Sequence, residues 1–205
     1  MTETKPTGAD GRTLSRRGVE TRARLLEAAE HVFGELGYHD ASIVKITEAA
    51  GVAQGTFYLY FNGKREIFDE LVRDLNLRVR RAMQEGAARG RTRGEVEREG
   101  FRAFFRFTAE HPALYRIVRQ AEFVSPEMLR YHYAKLADGY VEGLRAAMGK
   151  GEAAAGDAEV LAYALMGIGE MVGMRWIQFD GARALPKKVF DELATIVERT
   201  LGAPA

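Results

Sequence analysis

Residues 42–64 read SIVKITEAAGVAQGTFYLYFNGK, and what these side chains face decides the fold. Ser42 stands in front of a short apolar run, the chemistry of a helix N-cap, and Gly51 supplies the left-handed residue that ends a helix. The spacing predicts a short helix over 43–50 and a second over about 54–61, with a tight turn at Gly51 between them. Asn62-Gly63 then marks another turn. The second helix carries Phe57, Tyr58, Leu59, Tyr60 and Phe61, too many large side chains for one buried face. Phe57 and Phe61 are four apart and share a face, so they are expected in a core with Leu36 and Ile46. Tyr58 and Tyr60 lie off that face and are expected outside, hydroxyls available.

The flanks are helical too. Leu25, Leu26, Ala29, Val32, Phe33 and Leu36 recur at amphipathic spacing over 17–36, with Gly37 as a stop. Phe68, Leu71, Val72, Leu75, Val79 and Met83 do the same from Lys64 to about Glu85. Long helix, short helix, tight turn, short helix is the order of a three-helix domain carrying a helix-turn-helix, whose last helix reads the major groove. Gln54, Gly55 and Thr56 open that helix and are the candidate base contacts. Gln pairs bidentately with adenine, Thr offers a hydroxyl and a methyl to thymine, and Gly lets the backbone approach closely. Tyr58, Tyr60 and Lys64 are the candidate phosphate contacts. Lys45, where helix two begins, is a further candidate contact, with a solvated surface position as its plainer reading.

Residues 1–14, MTETKPTGADGRTL, lack periodicity and are expected to form a flexible arm, with Arg12, Arg16 and Arg17 at its junction. Such an arm is either inert or a basic contact to phosphate. The glycine- and arginine-rich stretch 86–94 reads as a connection inside the chain. Beyond it helices are expected over about 96–109, from Pro112, from Pro126 behind Ser125, over about 157–179 behind Asp157, and from Pro186 to about 201. No strand pattern or internal repeat emerges. The expected fold is all-α with about nine helices: an arm over 1–15, a helix-turn-helix domain over 16–63, and a helical bundle over 64–205, with helix four (64–85) connecting the two.

Over residues 21–71, TRARLLEAAEHVFGELGYHDASIVKITEAAGVAQGTFYLYFNGKREIFDEL, the chain resembles the DNA-binding domain of the TetR/AcrR family of bacterial transcriptional regulators. Ala28-Ala29, Phe33, Gly37-Tyr38, Ile46, Ala49-Ala50-Gly51-Val52, Gly55-Thr56, Tyr58, Tyr60-Phe61 and Lys64 carry the resemblance. It implies bases at Gln54, Gly55 and Thr56, and phosphates at Tyr58, Tyr60 and Lys64, with Ser42 helping. It also implies a homodimer on a palindromic double-stranded operator, most often as a repressor, and a small-molecule effector in the C-terminal region. Departures are Ala53 in place of a capping Ser or Thr, Gly63 in place of a polar N-cap, and Leu59 and Val44 at positions that are often polar.

The C-terminal half is rich in aromatics, which a bundle core would absorb. Phe104, Arg106, Phe107, Tyr115, Phe123, Tyr133, Met166, Glu170 and Trp176 are the candidates for lining an effector pocket. Residues 111–140 look similar to family members that sense acyl-CoA thioesters. An acyl-CoA, or a fatty-acid or aromatic-acid derivative, is therefore the expected ligand class, with Arg102, Arg106, Arg116, Arg119 and Arg130 available for its phosphates. Gly169 and Gly173, four apart, permit a close helix approach, in a dimer seam or within the chain.

Composition narrows the alternatives. The net charge of +1 is near neutral, but residues 1–93 hold 16 Lys and Arg against 13 Asp and Glu, so the basic bias shares the half of the reading helix. The absence of cysteine removes disulfides, Cys-ligated zinc and thiol catalysis. His31, His39, His111 and His132 have no metal-ligand spacing, and no nucleophile elbow or phosphate loop appears. No catalytic residue, metal, cofactor or membrane partner is expected, and the chain reads as a cytoplasmic, non-enzymatic protein.

Overall fold

The computed structural model describes residues 6–202. Nine α-helices account for most of them: α1 (Arg16–Asp40), α2 (Ile43–Ala50), α3 (Gln54–Phe57), α4 (Lys64–Ala87), α5 (Arg93–Glu110), α6 (Ala113–Val124), α7 (Pro126–Gly149), α8 (Ala158–Gly173) and α9 (Lys187–Leu201). A π-helical turn, Met174–Phe179, continues from α8. Among the described residues the β content is one isolated bridge, Thr7–Thr13. The chain is all-α, as its periodicity requires.

Contacts divide the chain into two units along lines the sequence did not indicate. Unit 1 takes residues 1–74 together with 116–129, and unit 2 takes 75–115 together with 130–205. The division therefore falls inside α4, not at residue 63, and most of α6 belongs with the helix-turn-helix.

In unit 1, Leu25, Ala29, Phe33, Ile46, Phe57, Phe61, Ile67, Phe68 and Leu71 are fully or almost fully buried. Each such large side chain contributes about 1.5–3 kcal/mol by leaving water. Phe68 meets Phe33 edge-on at 5.3 Å and Tyr38 at 5.2 Å. Leu36 does not join them: it is 42% exposed. Phe33, three residues earlier, already stacks on Tyr38 and fills that space. Gly37 adopts φ 76° and ψ 166°, so the expected stop is a kink, and one more helical turn runs to Asp40. The returning segment 116–129 is fastened by polar bonds. Arg116 donates to the Gly34 carbonyl at 2.8 Å, and the Tyr38 N–H donates to Gln120 Oε1 at 2.5 Å. Arg65 donates to the Ser125 hydroxyl at 2.8 Å and to Glu127 at 2.5 Å.

The arm is folded where it is described. The Gly8 N–H donates to the Arg12 carbonyl and the Leu14 N–H to Pro6, and Asp10 caps the turn by accepting from the Arg12 N–H. The Ala9 N–H donates to the Leu59 carbonyl at 3.0 Å. Residues 6–14 thus form a closed turn docked on the residues after α3, not a free arm. Residues 1–5 of the expected arm lie outside the described residues.

In unit 2, Phe101 and Phe105 of α5 pack with Leu144, Ala162, Leu165, Ile177, Phe190, Leu193 and Val197. Helix α5 begins at Arg93, three residues before the expected start. Thr92 accepts from the Glu95 N–H while the Glu95 carboxylate accepts from the Thr92 N–H, a reciprocal capping box. Asp157 caps α8 through the Glu159 and Val160 N–H groups, as its position predicts. His132 is buried against Asn76, which donates to its carbonyl at 3.0 Å and lies 3.2 Å from Nδ1. Burial, with Arg80 nearby, lowers the His132 pKa to about 4, so the ring is neutral.

Candidate nucleic-acid interface

The reading element is built from a support helix, a tight turn and a very short helix. Ser42 caps α2 by accepting from the Lys45 N–H at 3.2 Å. Gly51 closes it in the left-handed conformation, φ 63° and ψ 40°, which a residue with a Cβ adopts only under strain. Arg24 of α1 donates to the Ala50 carbonyl at 2.5 Å and to Gly51 at 3.3 Å, satisfying the end of α2. Arg24 was not singled out in the sequence, because a C-cap contributed by another helix leaves no local pattern.

Helix α3 is shorter than expected, with regular α geometry over Gln54–Phe57 only. Ala53 offers no side-chain cap. The chain continues as tight turns, with the Leu59 N–H donating to Thr56 and the Tyr60 N–H to Phe57, up to the buried anchor Phe61. Phe57 and Phe61 lie 5.6 Å apart in the core, and Arg22 covers the Phe61 ring at 5.1 Å. Arg22 in turn pairs with Glu70 at 2.6 Å. Two buried rings thus fix a short segment whose other side chains point away from the core.

Those other side chains are the sequence candidates. Gln54 and Gly55 are exposed and Thr56 is half-buried. A Cβ at Gly55 would meet nothing within 4 Å, so the backbone there is open to an approaching surface. Tyr58 is 49% exposed, and Tyr60 is half-buried. Leu59 and Val44 are exposed apolar side chains on the same segment pair. Lys45 is exposed, and its ammonium donates to the Asp40 carbonyl at 3.1 Å.

Lys64 stands differently from the sequence expectation. Its ammonium donates to the carbonyls of Tyr38 at 2.7 Å, His39 at 3.3 Å and Ala41 at 2.8 Å, and sits 4.4 Å from the Tyr38 ring centroid. An ammonium has three protons, and all three have protein acceptors here. The structure makes Lys64 the cap on the end of α1, not an unengaged cation beside the reading element.

Residues 25–71 match the family model for bacterial regulatory proteins of the tetR family. That match covers 47 of the 205 residues, so the family likeness it shows is that of this N-terminal segment. The chain is 47% identical over 68 residues to a Bacillus subtilis helix-turn-helix-type transcriptional regulator, YdgC, spanning 33% of this chain and 35% of that one. It is 43% identical over 51 residues to the fatty acid metabolism regulator protein of the same organism, spanning 25% and 26%. The chain thus matches well under two thirds of the length of these relatives. The likeness of fold extends over nearly the whole chain: Salmonella enterica GusR superposes with a TM-score of 0.78 at 25% identity, over 93% of this chain and 99% of that one.

The expected effector residues are partly dispersed. In unit 2 Phe104 lies edge-on to Tyr115 at 6.5 Å. The Tyr133 hydroxyl donates to Glu170 at 2.8 Å, which gives that acid its partner in an apolar helix. Met166 and Trp176 are half-buried, and Trp176 is covered by Arg175 at 5.4 Å. Phe107 belongs to a different cluster, tilted against His111 at 4.5 Å with Arg78 over its ring. Arg106 is exposed because it points off the α5 face that Phe101 and Phe105 bury. Phe123 is 83% exposed and falls in unit 1, whereas the other candidates belong to unit 2.

Proposed function

We propose that the protein is a homodimeric, ligand-responsive transcriptional regulator that represses by occupying a palindromic operator in the bacterial cytoplasm. The observation carrying this reading is the Gln54-Gly55-Thr56 edge, exposed at Gln54 and Gly55 and held between the capped end of α2 and the buried anchors Phe57 and Phe61. Gln54 and Thr56 read base edges in the major groove, while Tyr58 and Tyr60 hold the phosphate backbone and Ser42 and Lys45 flank it. Lys64 contributes by fixing the α1–α2 corner on which these contacts depend.

Dimerisation is supported by apolar side chains left uncovered in unit 2: Val160, Tyr163, Met171 and Phe179 on α8 and its π-helical extension, and Ile196 on α9. The same stretch, Ala158–Phe179, is long and apolar enough to cross a membrane by composition alone. A partner copy covering it accounts for that apolar surface without a membrane. The effector is a small hydrophobic acid derivative, either an acyl-CoA thioester or a free fatty or aromatic acid. One relative named as a fatty acid metabolism regulator supports that class. Effector binding stabilises a dimer whose two reading elements no longer match the operator spacing.

The test is selection of bound sites from a random duplex pool. The expected product is two related half-sites about 34–36 Å apart along the axis. A pool that stays unstructured after selection contradicts the reading. Repressor and activator are separated by placing the selected site across a promoter and measuring transcription with the protein present.

A further inference from the structure

Within unit 2, α4, α5 and α7 enclose a cleft of about 200 Å³. Its lining includes three glycines, Gly100 of α5 and Gly139 and Gly143 of α7. A Cβ at Gly139 would meet nothing within 4 Å, so side-chain packing does not fill the space there. Met83, Val96 and Leu136 give it apolar walls. None of these residues is among those the sequence pointed to as effector contacts.

The charges lining the cleft do not balance. Arg80 and Arg93 contribute two guanidinium groups, and Glu97 is the one carboxylate among the lining residues. Glu97 is 3% exposed and pairs with Arg93, one turn earlier on α5. Glu152 acts on Arg93 through space from outside the lining. Arg93 Nε is shut off from water and makes no hydrogen bond. Burial lowers the Arg93 pKa, so its surroundings disfavour the charge it carries. Burial also pushes the Tyr140 hydroxyl up to about 12, which keeps it a neutral donor. With Arg93 paired to Glu97, the lining keeps one uncompensated guanidinium charge, which an anion in the cleft offsets. A carboxylate suits a guanidinium because it only accepts hydrogen bonds and matches the planar fork.

Size sets the rest. The cleft has the volume of roughly seven waters at ~30 Å³ each, so it suits a ligand of about that many non-hydrogen atoms. A CoA thioester is several times larger. We propose that this cleft binds a small monocarboxylate with a compact apolar body, a free short-chain or aromatic acid, through Arg93. The assignment rests on the regulator reading only in treating that acid as the effector.

The test is calorimetric titration of the full chain with hexanoate and benzoate, against hexanamide, benzamide and hexanoyl-CoA. At least one acid is expected to bind at millimolar concentration or below, about tenfold or more tighter than its amide and than the thioester. Gly139→Leu fills the cleft without touching the ion pair and is expected to abolish binding while leaving the thermal melt intact. The double variant Arg93→Gln/Glu97→Gln keeps the shape, removes both charges, and is expected to equalise acid and amide. The proposal is overturned if no acid binds, if acid and amide bind equally to the wild type, or if folded Gly139→Leu binds as the wild type does. Acid binding that leaves operator affinity unchanged supports the cleft assignment and contradicts its regulatory role.

Discussion

Lys64 and His132 show how much a single side chain decides in each unit. Lys64 satisfies three carbonyls at the end of α1, where otherwise unpartnered C=O groups would meet an apolar corner. Hydrogen bonds to a charged group contribute about 1.5–3 kcal/mol each, though not additively. Lys64→Ala is therefore expected to destabilise the chain by roughly 2–3 kcal/mol, seen as a lower denaturation midpoint with unchanged m-value. A DNA-affinity loss without any stability loss would return Lys64 to a phosphate role. His132 makes stability depend on pH. Its pKa is about 4 in the fold, below the usual 6.5, so the unfolded chain binds the extra proton between those values. Stability is then full above pH 6.5 and falls as pH drops toward 4, by up to ~3 kcal/mol. His132→Leu is expected to flatten that slope in denaturation curves measured from pH 7 to pH 4, even if its midpoint at pH 7 is lower.

At the scale of elements, caps and close approaches set where helices begin and what they touch. Thr92→Ala removes half of the α5 capping box and is expected to cost about 1 kcal/mol, read from the melting temperature. On α8, a Cβ at Gly173 would fall inside contact distance of the buried Tyr115 hydroxyl, which makes no hydrogen bond of its own. Gly173→Ala should destabilise by about 1–3 kcal/mol. Tyr115→Phe alone should be near neutral, and combining the two should recover part of the loss in a double-mutant cycle. A Cβ at Gly169 would likewise lie 2.8 Å from the Phe101 ring, so the small-residue pair serves packing within the chain.

The helices were legible because apolar spacing and caps are local. Ser42, Gly51 and Asp157 mark ends where the sequence puts them, and Phe57 and Phe61 are buried as their spacing requires. The start of α5 was obscured by Gly90, Gly94 and the arginines between them, although the Thr-x-x-Glu signal of the capping box was present. What the sequence could not show is long-range: Arg24 capping α2, the α6 segment fastened to α1, and Pro6–Leu14 folding onto Leu59. Each joins residues far apart in the chain, and no period or motif encodes that distance. The same holds for the candidate site. Its proposed base-facing residues follow from one local motif, whereas the engaged state of Lys64 depends on a corner 23–26 residues away.

At the scale of the whole molecule, the proposed function needs two copies and two reading elements. The uncovered side chains Val160, Met171 and Ile196 are the expected dimer surface. Met171→Glu with Ile196→Lys is expected to convert a dimer into monomers in sedimentation equilibrium and to weaken operator binding with it; a wild-type monomer at micromolar concentration would remove the dimer from the mechanism. The most direct test of the central claim compares affinity for the selected operator with affinity for a scrambled duplex of equal length at physiological salt. A regulator reading bases through Gln54 and Thr56 should prefer the operator by about 10³-fold or more, and Gln54→Ala with Thr56→Ala should erase most of that preference while non-specific binding persists. Equal affinity for the two duplexes in the wild type would contradict it.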